Sequence, residues 1–226
     1  MARRISFAPG EYYHIYNRGT EKRKVYLTKA DHERFISLLY LANGTKPIKF
    51  RLQGAIQKVF QNPREKKIVD IAAYCLMPNH FHLLIREKEE GGISRFMQRL
   101  ITAYTMYFNI LRKRDGALFQ GKFKAKHVDG SNYFKYLVAY IHLNPVKIIE
   151  PMWKKTGIAD RRAAEKFLAS YAYSSYQDYV GNERQEKNIL SKEALLEYQG
   201  PIDFQKSVTD WLAYQPVPEV TKVEPR

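Results

Sequence analysis

Ile68-Val69-Asp70-Ile71-Ala72-Ala73-Tyr74-Cys75-Leu76-Met77-Pro78-Asn79-His80-Phe81-His82-Leu83-Leu84-Ile85 is the stretch on which the reading of the fold turns. Ile68 to Leu76 is a short, partly β-branched apolar run of the kind that forms a buried strand. Pro78-Asn79 breaks it, and a second apolar strand resumes at His80, so the whole reads as an antiparallel hairpin closed by a tight turn. Side chains alternate across a strand, which turns His80 and His82 to one face and Phe81 to the other. The two imidazoles then lie about 7 Å apart at Cα, close enough to share one metal ion. Taken alone, such a pair reads better as two satisfied structural histidines than as metal ligands, so its meaning depends on what faces it.

Upstream, Tyr12-Tyr13-His14-Ile15-Tyr16-Asn17 is a β-rich run ending at the turn Arg18-Gly19. Thr28 offers an N-cap with Asp31 three residues on, and Phe35, Leu38, Leu39 and Ala42 form an apolar stripe before Gly44, which marks a helix. Residues 45–70 carry a weaker pattern, with Gly54, Pro63 and the run Arg64-Glu65-Lys66-Lys67, and read as an insertion or a long excursion. Downstream, Gly91-Gly92 precedes a long helix whose core stripe is Ile93, Phe96, Met97, Leu100, Ile101, Tyr104, Phe108 and Leu111.

Leu118 to Val128 alternates aromatic and basic residues, as an extended arm or a fourth strand would. Ser131 caps a further helix that Pro145 ends. The order is strand, helix, strand, strand, helix, extended segment, helix. It predicts an α+β fold, a ferredoxin-like sandwich with an antiparallel sheet and helices on one face.

This catalytic domain is expected over 1–150. A helical C-terminal extension over 151–210 packs on it, comprising a basic helix from Asp160 to Ala169, the cluster Tyr171 to Tyr176 and a helix around Ser191 to Tyr198. Residues 211–226, with Pro216, Pro218 and Pro225, are expected to be a disordered tail.

A formal charge of +15 in 226 residues, together with 17 Tyr and 12 Phe, favours a nucleic-acid partner over an acidic small molecule. Cys75 is the single cysteine, which excludes a disulfide or a cysteine zinc site within one chain and suits a reducing cytoplasm. The first residues lack an apolar signal region and no stretch has the length of a membrane span, so a soluble, unprocessed protein is expected.

The helix opened by Ser131 has two stripes. Phe134, Leu137, Val138 and Ile141 form its core face, while Tyr133, Tyr136, Tyr140, Asn144 and Lys147 lie on another that packing alone does not explain. Tyr140 and Asn144, four residues apart, stand one above the other. Opposite a divalent ion held by His80 and His82, Asn144 would supply a third, neutral oxygen ligand and leave positions open for phosphate. A tyrosine could then attack phosphorus and conserve the bond energy in a covalent link. Tyr104, Tyr107 and above all Tyr136 compete with Tyr140 for that role. His14 and His142 read as supporting groups, Cys75 as packing, and His127 as either a surface group or a phosphate contact. Arg18, Arg99, Lys122, Lys124 and Lys126 are the DNA-binding candidates, with binding that weakens steeply with salt.

Three motifs together, Tyr13-His14-Ile15-Tyr16-Asn17-Arg18-Gly19, Pro78-Asn79-His80-Phe81-His82-Leu83-Leu84 and Tyr140-Ile141-His142-Leu143-Asn144-Pro145-Val146-Lys147, resemble the single-tyrosine HUH transposases, specifically the REP-associated tyrosine transposases. Tyr173-Ser174-Ser175-Tyr176 is similar to a further element of that group, and the likeness covers about residues 8 to 180. The resemblance implies a bacterial, nucleoid-associated enzyme that cleaves and rejoins single-stranded DNA at short palindromic hairpins. It maps the nucleophile onto Tyr140 and the metal ligands onto His80, His82 and Asn144, with Mg2+ or Mn2+ as cofactor and a 5′-phosphotyrosine with a free 3′-hydroxyl as product. The expected partner is single-stranded or hairpin DNA, and the protein is expected to act as a monomer or homodimer. A non-cleaving nucleic-acid-binding regulator on the same fold is the alternative, and a metallohydrolase a third reading.

Overall fold

Proline lacks an N–H and fixes its own φ, so the ladder of the central hairpin has to turn at Pro78-Asn79. In the computed structural model, which describes residues 6–48, 59–61, 64, 66–191 and 201–213, β2 (Val69–Met77) and β3 (His80–Glu87) run antiparallel from that turn with Met77 opposite His80. Every residue of β2 is buried, which accounts for a run that is apolar on both faces. β1 (Tyr12–Arg18) pairs antiparallel with β3, and β4 (Lys124–Val128) with β1, giving the order β2-β3-β1-β4. The alternating aromatic and basic segment is therefore the fourth strand. With one helix after β1 and one after β3, the chain has the ferredoxin-like arrangement.

α1 (Lys29–Ala42) starts at the expected capping box, in which Thr28 Oγ1 accepts from Asp31 N and the Asp31 carboxylate accepts from Thr28 N. Its end is welded to β2 by Asn43, whose amide accepts from the N–H groups of Ile68 and Val69 and donates to Val69 O. α2 (Gly92–Leu111) begins after Gly91, which takes φ 73°, and its first N–H groups donate to the buried Glu87 carboxylate. That charge satisfies two otherwise orphaned donors at the positive end of the helix dipole. α1 and α2 pack together on one face, where Phe35, Phe81, Tyr104 and Phe119 meet edge to face or tilted.

α3 (Ser131–Leu143) extends the expectation of helices on one face: α1 and α2 form that layer, and α3 lies across the other, with Phe134 against Tyr12 and Tyr140 against His14 and His82. Ser131 does not cap it. Gly130, with φ 78°, is the N-cap residue, and Ser131 is the first helical residue. Pro145 ends the helix as expected and opens the single turn Val146–Ile149.

Beyond it, α4 (Arg161–Ser170) is capped by Asp160, whose carboxylate accepts from Ala163 N. The Tyr173-Ser174-Ser175-Tyr176 element then lies along the outer edge of β2. Leu76 N donates to Tyr173 O, Ser175 N to Tyr74 O and Tyr74 N to Ser175 Oγ, so the ladder groups of an edge strand are covered. Arg184 fastens the element through Asp178 and Ser174 O. α5 (Pro201–Ala213) packs on α3, with Trp211 against Tyr136 and Phe204 against His142.

Trp211–Ala213 thus belong to a helix rather than to the expected tail over 211–226, whose remainder lies outside the described residues. The helix expected around Ser191 to Tyr198 lies outside them from 192 onward, and the Ser191 N–H donates to Ile71 O. Of the 45–70 stretch, Val59 and Phe60 are buried, the latter against Tyr40, while Arg64 covers the Tyr40 ring and the last residues begin β2. Among the described residues no helix is long and apolar enough to cross a membrane.

Candidate active site

β3 sends His80 and His82 to the same face, with ring centroids 5.0 Å apart and ring planes nearly perpendicular. Antiparallel pairing brings Arg18 opposite His80 and Tyr16 opposite His82, so β1 contributes to the same face. Each imidazole has its Nδ1 engaged. His80 Nδ1 lies 2.6 Å from Asn79 Oδ1, an acceptor, which puts the proton on Nδ1 and leaves a lone pair on Nε2. Asn79 is itself anchored, its Nδ2 donating to Lys22 O. His82 Nδ1 lies 2.9 Å from Nε2 of His14, in a stacked pair of buried rings.

Burial, helped by His80, His14, Lys154 and Lys147, holds the His82 pKa well below its ordinary value. Burial together with Lys126 and Lys154 lowers that of His14 to about 3. Both rings are therefore neutral at pH 7, the form in which imidazole binds a metal.

α3 closes the site from the other side. The Tyr140 ring lies 5.9 Å from that of His82 and 6.3 Å from that of His14. One turn later the Asn144 amide donates through Nδ2 to Tyr140 O at 2.9 Å, which fixes its orientation. Its Oδ1 is buried and has no hydrogen-bond partner among the described residues. A buried carbonyl oxygen left unpaired costs about 1–3 kcal/mol, so the atom suits a ligand. Arg18, Lys22, Asn79, His80, His82, Tyr140, Asn144 and Lys147 line one cavity of about 120 Å3. Among the described residues no three His, Cys, Asp or Glu converge, so a cation would be held by the two imidazoles and the Asn144 oxygen. That mixed nitrogen and oxygen set suits Mn2+ better than Mg2+, which prefers oxygen.

The structure separates the competing tyrosines. Tyr136 does not line the cavity; it stacks on Tyr133 and packs against Trp211, and burial pushes its phenol well above the usual range. Tyr104 and Tyr107 belong to the opposite face, donating to Val25 O and to the Asp31 carboxylate. His142 is bound to Ser175 Oγ within the core, and Cys75 is fully buried. His127 is exposed and paired with Glu11.

Among the basic candidates, Arg18 lines the cavity and donates to Gln120 Oε1. Lys124 and Lys126 stand opposite Tyr16 and His14 and so share the histidine face, exposed on the edge strand, while Lys122 is exposed just before β4. Arg99 does not join the histidine face: its guanidinium donates to Ala42 O and Lys46 O at and just beyond the end of α1, in the layer across the sheet.

Sequence reasoning gave no role to Asn79, Lys22, Lys147 or Lys154. Lys147 shares the helical stripe of Tyr140 and could have been included on that ground. Lys22 carries no such signal, because it is brought in by a turn in which Glu21 and Lys22 take φ 56° and 60°.

A family model described as "Transposase IS200 like" matches residues 10–144, more than half of the chain. The chain belongs to the IS200-like transposase family. The match ends on Asn144, so His80, His82, Tyr140 and Asn144 fall inside it, whereas Lys147 and Lys154 of this transposase fall outside. Among solved structures, the transposase is similar to a REP-associated tyrosine transposase bound to a REP hairpin, with a TM-score of 0.50 and 14% identity over 82% of this chain and 90% of that chain. That likeness shows the shared α+β fold. No curated protein matches the chain.

Proposed function

We propose that this transposase cleaves and rejoins single-stranded DNA beside a hairpin, using Tyr140 as nucleophile. The observation that supports the reading is the convergence, around one cavity, of the Tyr140 hydroxyl, two imidazoles with their Nδ1 atoms engaged, the unpartnered Asn144 oxygen and the cations Arg18, Lys22 and Lys147. The three cations draw the scissile phosphate into the cavity. Tyr140 Oη attacks phosphorus; the Oη–P bond forms, the P–O3′ bond breaks, the phenolic proton goes to solvent and the departing 3′-oxygen takes up a proton. The product is a 5′-phosphotyrosine and a free 3′-hydroxyl. Attack of a 3′-hydroxyl on the phosphotyrosine reverses each step and rejoins the strand.

His80, His82 and Asn144 would hold a divalent ion, Mn2+ or Mg2+, which when bound supplies Lewis-acid charge to a non-bridging phosphate oxygen. Lys122, Lys124 and Lys126 extend the positive surface along β4 for the flanking strand. The solved neighbour is bound to a REP hairpin, and a short palindromic hairpin is the substrate form we assign here.

Incubation with single-stranded hairpin DNA and Mn2+ or Mg2+ should yield a protein–DNA adduct that survives denaturing electrophoresis. Tyr140→Phe should abolish it while leaving hairpin binding nearly intact, and Tyr136→Phe should keep it. An adduct that persists in Tyr140→Phe overturns the nucleophile. Cleaved DNA with no protein attached would instead indicate a metallohydrolase, and binding without cleavage a regulator.

A further inference from the structure

Lys154 comes from the C-terminal extension, ten residues past the end of the family match. It sits in the single turn Trp153–Thr156, in which Gly157 N donates to Trp153 O and Lys155 N to Met152 O. Glu150 braces the next residues, its carboxylate accepting from Ala159 N and Asp160 N, and Trp153 packs partly buried against the core. The half-buried Lys154 side chain therefore leaves an ordered piece of backbone. Its ammonium lies 2.9 Å from Tyr140 Oη, to which it donates, and 4.2 Å from the centre of the same ring. Tyr140 itself is only 6% exposed, so this donor reaches its oxygen in a poorly solvated place.

The chemistry at Oη needs such a partner in both directions. During cleavage the oxygen gives up its proton as it bonds to phosphorus, and during rejoining it departs carrying negative charge. A fixed cationic donor aimed at the atom on which charge resides stabilises it without reorganisation at the moment of reaction. We infer that Lys154 is a catalytic residue, which holds Tyr140 Oη in place and stabilises its negative charge during attack and departure. This rests on Tyr140 being the nucleophile. It assigns to the extension a part in the chemistry in addition to covering the sheet edge.

The test measures hairpin affinity and, at saturating DNA, the single-turnover rate of adduct formation, for the wild type, Lys154→Met, Lys154→Arg and Tyr140→Phe. Lys154→Met should slow adduct formation about 100-fold, the cost of removing one donor to a reacting oxygen. Its affinity for the hairpin and its thermal transition should match the wild type. Lys154→Arg, which keeps a cationic donor, should recover most of the rate. If Lys154→Met loses its thermal transition, Lys154→Gln, which is polar but uncharged and too short to place a donor where Nζ lies, should show a comparably slow rate in a folded protein. A wild-type rate in folded Lys154→Met or Lys154→Gln overturns the proposal and leaves Tyr140 standing. So does a loss confined to affinity, which would make Lys154 a phosphate contact. An adduct that persists in Tyr140→Phe, or none from the wild type, overturns the underlying reading together with this one.

Discussion

Asn79 sits in a two-residue turn at the lip of the cavity, and its side chain decides which nitrogen of His80 is available. Replacing it by Ala removes the acceptor at Nδ1 and the tether to Lys22 O, freeing the ring to rotate and to change tautomer. Asn79→Ala should therefore weaken Mn2+ binding about 10- to 100-fold, measured by titration calorimetry, with the folded protein retained. An unchanged affinity would remove Asn79, and with it the assigned His80 tautomer, from the account. The histidine pair itself was legible in the sequence, because alternation along a strand is a local rule. The choice of Tyr140 over Tyr136 was legible only through the family resemblance, not from helical spacing. They are four residues apart on one stripe, and only the position of that stripe along β3 puts one against His82 and the other against Trp211.

At the level of elements, the turn after β1 carries more of the site than its sequence suggests. Gly19 has an ordinary φ of −59°, so its need for glycine is spatial: a Cβ there would lie 2.3 Å from Arg23 O and 2.8 Å from Val25 Cγ1. Its N–H donates to Asn79 O, and two residues on the chain enters the left-handed pair Glu21 and Lys22. Gly19→Ala should destabilise the protein by about 1–3 kcal/mol, read from urea denaturation, because the backbone must shift to admit the methyl group. It should also displace Lys22 and weaken hairpin binding; a variant as stable as the wild type would show that the turn yields freely. A turn at Arg18-Gly19 was readable from glycine alone. The consecutive positive φ values were not, since nothing in Glu-Lys favours them and the surrounding contacts impose them. The same holds for Tyr173-Ser174-Ser175-Tyr176, recognisable as a motif but silent about the β2 edge that it covers.

Across the whole molecule, buried histidines link folding to pH. His14 and His142 are both held near 3, chiefly by burial; Lys126 and Lys154 lower His14 further, and for His142 a bond to Val138 opposes the fall. The unfolded chain takes up protons near 6.5 that the native protein refuses, so the stability these groups contribute is present above about pH 6.5 and is lost as pH falls toward 3. Each costs up to about 1.4 kcal/mol per unit, so these two should lower unfolding free energy by roughly 4 kcal/mol between pH 7 and pH 5, and the buried His82 adds in the same direction. Urea denaturation at the two pH values checks this, and equal midpoints would mean that the rings are protonated in the native state. The strand-turn-strand with its histidines, the capping box of α1, the element order and the basic character all follow from the sequence itself, because periodicity, capping and turn chemistry are settled within a few residues. That β1 aligns His14 and Arg18 with β3, that α3 crosses the opposite face with Tyr140 over His82, that Arg99 serves α1, and that Lys154 reaches the Tyr140 hydroxyl were decided only by the tertiary structure. These pairings join residues far apart in the chain, and they are selected by the burial and hydrogen bonding of the assembled layers, to which no local pattern corresponds.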